Sequence, residues 1–89
     1  MFPRLSEDDY AELCHQVLGR DGWACRHCKF RGSLHVHHII FRSEGGPDEL
    51  WNLITLCTWC HDAVHRGYLE LLIDDEITFR INGDWRPGQ

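Results

Sequence analysis

Four of the five cysteines in this chain fall into two C-x-x-C pairs, Cys25/Cys28 and Cys57/Cys60, separated by 28 residues. No other feature constrains the fold as much. Each pair presents two sulfurs to a single tetrahedral ion, and an ion held by both pairs closes a long loop and pins its ends. Four cysteines around Zn²⁺ make a closed structural site with no position open for chemistry. Isolated redox use of a C-x-x-C motif needs no second copy. Disulfides are disfavoured, because Met1-Phe2-Pro3-Arg4 runs into Ser6-Glu7-Asp8-Asp9 rather than into the apolar run of a signal peptide. An intracellular, cytoplasmic location is therefore expected. No stretch reaches the ~18–20 apolar residues of a membrane span, so no membrane partner is expected.

At 89 residues the chain reads as one domain, with a core small enough to benefit from a metal staple. Three parts are expected within it. An N-terminal helix covers about 6–19, zinc knuckles and a ββα core cover about 23–67, and a C-terminal hairpin and tail cover about 68–89. Ser6 can cap the helix, and Tyr10, Leu13, Cys14, Val17 and Leu18 form its apolar stripe. Cys14 then reads as a small buried hydrophobe and His15 as a solvated side chain. Val, Ile and His over Ser33–Ile40 predict a strand, Gly45-Gly46-Pro47-Asp48 a loop, and Leu53–Leu56 a second strand. Thr58–Arg66 reads as a helix ended by Gly67. Tyr68–Ile73 and Glu76–Ile81 read as paired strands across an Asp74-Asp75 turn, with Trp85 anchoring the tail.

The histidines are the second strong signal. His37 and His38 are neighbours on a strand and point to opposite sides, so they are expected to do different work. His61 and His65 are four apart on a helix and share a face. One strand histidine and both helix histidines can close on a second metal and leave positions open for water or substrate. The remaining histidine is then free to act as a base. His35 alternates onto the face of His37 and reads as an exposed side chain. The net charge of −5 argues against a protein that coats nucleic acid by charge alone. Residues 20–42, however, hold Arg20, Arg26, Lys29, Arg31 and Arg42 against Asp21, so a locally basic face is expected.

Taken together, Cys25-x-x-Cys28, Leu34-His35-Val36-His37-His38-Ile39-Ile40, Gly45-Gly46-Pro47-Asp48, Asn52-Leu53 and Leu56-Cys57-x-x-Cys60-His61-x-x-x-His65 resemble the HNH endonucleases, also called ββα-metal or His-Me finger nucleases. The resemblance covers about half of the chain. It implies a small α+β fold: a zinc-stapled ββα-metal finger with an N-terminal helix and a C-terminal β-hairpin. It also implies a structural zinc on Cys25, Cys28, Cys57 and Cys60, and a catalytic divalent metal on His37, His61 and His65. By the same resemblance His38 is the general base, and Asn52 holds the loop that aims it. Many relatives carry a carboxylate where this chain has His37. The all-nitrogen set then favours Mn²⁺, Ni²⁺, Co²⁺ or Zn²⁺ over Mg²⁺. The implied reaction is DNA phosphodiester hydrolysis to 5′-phosphate and 3′-hydroxyl ends; Arg42 and Arg66, near the two metal-bearing elements in the sequence, are expected as phosphate contacts. Little chain remains to read sequence, so low specificity, or specificity lent by a protein partner, is expected. The size suits a phage or mobile-element setting. The alternative is a non-catalytic zinc-ribbon module that binds nucleic acid; it explains the cysteines but not His37, His38, Asn52, His61 and His65 together. The oligomeric state is not legible.

Overall fold

The computed structural model describes residues 5–73 and 76–87. Helix α1 (Glu7–Arg20) begins where Ser6 Oγ accepts the Asp9 N–H at 3.2 Å, and Glu7, Asp8 and Asp9 sit at the positive end of its dipole. It ends with Trp23 N–H donating to Leu18 O, at a left-handed turn over Gly22 and Trp23. Val17 is the buried residue of α1. Cys14, expected to be buried, is only half-covered. The helix packs most heavily on strand β2 (Leu53–Cys57).

Strand β1 (Leu34–His38) pairs antiparallel with β2, with His37 opposite Ile54 and His38 opposite Leu53. The strand is shorter than the Ser33–Ile40 expected. Ser33 adopts a φ of 50°, and beyond His38 the backbone N–H of Ile39 and Ile40 turn to the Asn52 carbonyl and the Asn52 side chain. Every residue of β2 is buried. Its last residue, Cys57, leads directly into α2 (Thr58–Arg66), which Gly67 ends at a φ of 81°. The second sheet pairs β3 (Leu69–Ile73) with β4 (Ile77–Ile81), Leu69 facing Ile81. The expected Asp74-Asp75 turn lies outside the described residues.

The core forms around the cysteines. Cys25, Ile54, Leu56, Cys57, Cys60, Ala63 and Leu69 make one buried cluster, flanked by Leu71, Ile77, Phe79 and Trp85 from the hairpin and tail. Trp85 thus seats the tail, as its composition suggests. Among the described residues, no helix is long and apolar enough to cross a membrane.

Candidate active site

Three constellations occupy the space between α1, the β1–β2 sheet and α2. The first is the cysteine cluster. Cys25 and Cys28 flank a tight turn in which Lys29 N–H donates to Cys25 O and Lys29 takes a φ of 70°. Cys57 closes β2 and Cys60 sits in the first turn of α2. One sulfur from each lies within 4.8 Å of all the others, and Cys28 Sγ stands 3.5 Å from Cys57 Sγ. A tetrahedral ion at ~2.3 Å from each sulfur requires separations of roughly 3.8 Å, so this group can hold a metal ion. Its electrostatics agree. A hydrogen bond from Cys60 holds the Cys25 thiol down to about 4, whereas burial pushes Cys28 up to about 11, and the bond to Cys25 pushes Cys60 up. Buried sulfurs this close resist sharing negative charge, and a divalent cation offsets that resistance. The Cys28 N–H points at Cys25 Sγ from 3.4 Å, and His27 Nδ1 lies 3.4 Å from Cys60 Sγ. Phe79 and Trp85 pack on the His27 ring at 4.9 and 6.1 Å between ring centres.

The second constellation is nitrogen-only. His37 faces α2 from near the end of β1, and His61 and His65 meet it from successive turns. One ring nitrogen of each lies within 4.8 Å of the other two, and the His61 and His65 Nε2 atoms are 3.3 Å apart. A metal at ~2.0–2.1 Å from two imidazoles sets their nitrogens ~3–3.4 Å apart. His37 is 4% exposed, and its Nε2 is buried with no hydrogen-bond partner among the described residues. An orphaned buried nitrogen is rare unless something is meant to meet it. Burial, reinforced by His61 and His65, depresses His37 to about 4, so it is a neutral, lone-pair-bearing ring near neutral pH. Burial also lowers His61. The three residues therefore fit a divalent ion in both geometry and donor chemistry. Phe41 stacks on His65 at 6.0 Å, and His35 stacks on His61 at 5.0 Å while bonding Thr58 Oγ1 at 3.2 Å. His35 is exposed, as the sequence suggests, yet it supports the outer face of His61.

The third constellation lies on the α1 side of β1. His38 turns away from its neighbour and stacks on Tyr10 at 6.1 Å, with the rings 6° from parallel. Its Nε2 stands 2.7 Å from Asp48 Oδ1. Arg42 grips the same carboxylate with two nitrogens, Nε to Oδ1 at 3.1 Å and Nη2 to Oδ2 at 3.2 Å, and lies 4.8 Å over the Tyr10 ring. The bonds from His38 and Arg42 outweigh the cost of burial and keep the Asp48 carboxyl below its usual range. Asn52, fully buried, accepts from Ile40 N–H at 2.8 Å and donates to Ile40 O at 3.1 Å and Pro47 O at 2.9 Å. It ties both ends of the 40–52 loop together. Gly46 is required there by contact: a Cβ would lie 1.8 Å from Ile40 O.

An open cavity of about 250 Å³ joins the second and third constellations, lined by His37, His38, Phe41, Arg42, His61 and His65. Of the sequence-predicted residues, His37, His38, Arg42, His61 and His65 thus meet at one cavity, while Asn52 lies in the loop behind it and the four cysteines form their own cluster. Arg66 does not line the cavity; it is 63% exposed and pairs with Asp62 one turn back on α2. Sequence reasoning passed over Asp48 and Gly46, which read only as loop formers. It also passed over Asp21, whose side chain is fully buried, binds Arg20 and Arg26 and accepts the Thr55 N–H at 2.9 Å. The short Gly-Gly-Pro-Asp run was the available signal for the first two; Asp21 has none.

Residues 25–67 match the family model described as HNH endonuclease. Over 57 residues the chain is 35% identical to a protein named Anaredoxin from Nostoc sp. (strain PCC 7120), an alignment that covers 63% of this chain and 75% of that protein. No solved structure matches.

Proposed function

This chain belongs to the HNH endonuclease family, and we propose that it is a metal-dependent endonuclease that hydrolyses phosphodiester bonds in DNA. The observation that carries the reading is the shared cavity, with His37, His61 and His65 on one wall and His38 on the other. In this reading Cys25, Cys28, Cys57 and Cys60 hold a structural zinc, and the three histidines hold a divalent ion. When bound, that ion supplies Lewis-acid stabilisation to the phosphate and the leaving oxygen. Mn²⁺, Ni²⁺, Co²⁺ or Zn²⁺ suits three imidazoles better than Mg²⁺ does.

His38 acts as the general base. It takes a proton from water as the water oxygen bonds to phosphorus. The bond from phosphorus to the 3′-oxygen breaks, and that oxygen leaves as a hydroxyl after taking a proton from solvent. The product ends are 5′-phosphate and 3′-hydroxyl. Imidazole suits this step because it exchanges protons near neutral pH. Asn52 holds the loop behind the base. Arg42 lines the cavity, and among the described residues its Nη1 makes no hydrogen bond, which leaves both N–H groups of that nitrogen for phosphate. Arg66 has a weaker role, as an outlying phosphate contact that must first exchange Asp62 for DNA.

Nicking of supercoiled plasmid across a panel of divalent metals, with and without chelator, tests the proposal. Cleavage should require added metal, with Mn²⁺, Ni²⁺ or Co²⁺ at least matching Mg²⁺. The His38→Ala protein should keep its zinc and its affinity for the second ion yet lose ~10²–10⁴-fold in turnover. Undiminished cleavage in excess chelator, or none with any metal, overturns the proposal.

A further inference from the structure

We propose that Asp48 is a positioning residue for the base: it fixes His38 with Nε2–H turned inward, so that Nδ1 is the atom that accepts the proton from water. The inference rests on the reading of His38 as general base and adds which nitrogen works and what holds it.

The geometry leaves few alternatives. Asp48 Oδ1 lies 2.7 Å from His38 Nε2, and the carboxylate side chain is 3% exposed. An ionised carboxylate only accepts hydrogen bonds, so the hydrogen between the two atoms belongs to Nε2. A neutral imidazole carries one N–H, and Nδ1 is then the atom with the free lone pair. Arg42 Nε lies 3.3 Å from His38 Nε2 but 3.1 Å from Asp48 Oδ1. With Nε2 already bearing hydrogen, the guanidinium donates to the carboxylate and not to the ring. Arg42 therefore stabilises the buried charge that orients the base, which is a different task from clamping phosphate.

Two further contacts keep this arrangement in register. Tyr10 stacks nearly parallel on the His38 ring and limits its rotation. Asn52 bonds the Pro47 carbonyl, on the residue immediately before Asp48, so the loop that carries the carboxylate is fixed to the start of β2. A carboxylate that merely closed the loop with Arg42 would have no need to approach the ring.

The proton on the ring is directly observable. Long-range ¹H–¹⁵N spectra of the imidazoles, recorded on full-length zinc-loaded protein with no second metal added, should show His38 as the Nε2–H tautomer. In Asp48→Asn, which keeps the side chain's shape but not its charge, the ring should become a mixture of tautomers. Plasmid nicking by that variant should lose kcat by ~10²-fold or more, because the wrong tautomer holds no lone pair at the working atom. KM for DNA and affinity for the second ion should stay as in the parent. A parent His38 in the Nδ1–H form overturns the inference without any variant, even if Asp48→Asn fails to fold. So does an Asp48→Asn protein with the parent's kcat. If the parent cleaves no DNA with any metal, the nuclease reading fails, whatever tautomer the spectra report.

Discussion

Replacing Asn52 by alanine isolates the loop that follows β1 and carries Asp48. The side chain is fully buried and makes three hydrogen bonds, to Ile40 N–H, Ile40 O and Pro47 O. A bond of this kind contributes ~1 kcal/mol net, and a partner stranded away from water costs a further ~1–3 kcal/mol. Pro47 is buried, so its carbonyl bears the larger cost, while Ile40 is half-exposed and can rehydrate. The loss should be ~4–6 kcal/mol, against ~4–13 kcal/mol for a domain of this length. Urea unfolding of the zinc-loaded protein measures it, and a shift of that size lowers Tm by at least ~16 °C. Hydrogen exchange should place the lost protection in residues 39–52, with zinc content unchanged. Asn52→Asp sharpens the test: it keeps the shape but sets a carboxylate against the Ile40 and Pro47 carbonyls. It should be at least as unstable as Asn52→Ala at neutral pH. A loss below ~1 kcal/mol for alanine, or parental stability for aspartate, would refute the view that these three bonds hold the loop.

Further outcomes follow from other buried groups. Asp21→Ala should cost ~2–4 kcal/mol in urea unfolding, less than the ~3–5 typical of a fully buried pair, because Arg20 and Arg26 are 29% and 31% exposed. The bonds from Arg20, Thr55 and Arg26 outweigh burial and lower the Asp21 pKa, so its contribution is complete above the usual carboxylate range and disappears as pH falls through the lowered value. Gly46→Ala must open the loop, since the new Cβ meets backbone at 1.8 Å; a loss of ~1–3 kcal/mol or more, read by the same unfolding curves, is expected. His37 is depressed from 6.5 to about 4, so in protein without the second ion the unfolded chain binds the extra proton first between those values. Stability should then be highest above pH 6.5 and fall by up to ~3 kcal/mol toward pH 4, a slope that flattens in His37→Gln.

What the sequence made legible was what chemistry confines to a few spacings. Four thiols around one ion and two imidazoles one helical turn apart leave marks at fixed intervals, and α2 follows from them together with Gly67. The α1 boundary was legible from Ser6 and its following acids. The hubs were not legible, because their partners are distant. Asp21 reaches Thr55, 34 residues on, and Asp48 reaches His38, 10 residues back. An aspartate in a loop carries the same local signal whether it faces water or a buried ring. Gly46 is likewise required by its close approach to Ile40 and Asn52, not by a positive φ. The end of β1 was overextended because Ile39 and Ile40 have strand composition, yet their N–H groups bond to Asn52.

The two clusters of metal-binding type share a frame, and that sharing explains how so small a chain can aim a site. Cys60 and His61 are consecutive residues in the first turns of α2, and Cys57 ends the strand that pairs with the one bearing His37. An ion on the four sulfurs therefore fixes α2 against β2 at the point from which His61 and His65 project toward His37. The hairpin reinforces the same point, since Phe79 and Trp85 press on His27, whose Nδ1 stands 3.4 Å from Cys60 Sγ. On the opposite side of β1, Asn52, Asp48, Arg42 and Tyr10 set the direction of His38 without touching either metal cluster. The strand's alternation divides the labour: one face of the His37-His38 pair answers to α2 and the sulfurs, the other to the 40–52 loop and α1. The two halves of the cavity nonetheless meet at one residue of the loop: the Phe41 ring lies 5.8 Å from that of His37 and 6.0 Å from that of His65, so a change in the loop reaches the three-histidine cluster as well as His38.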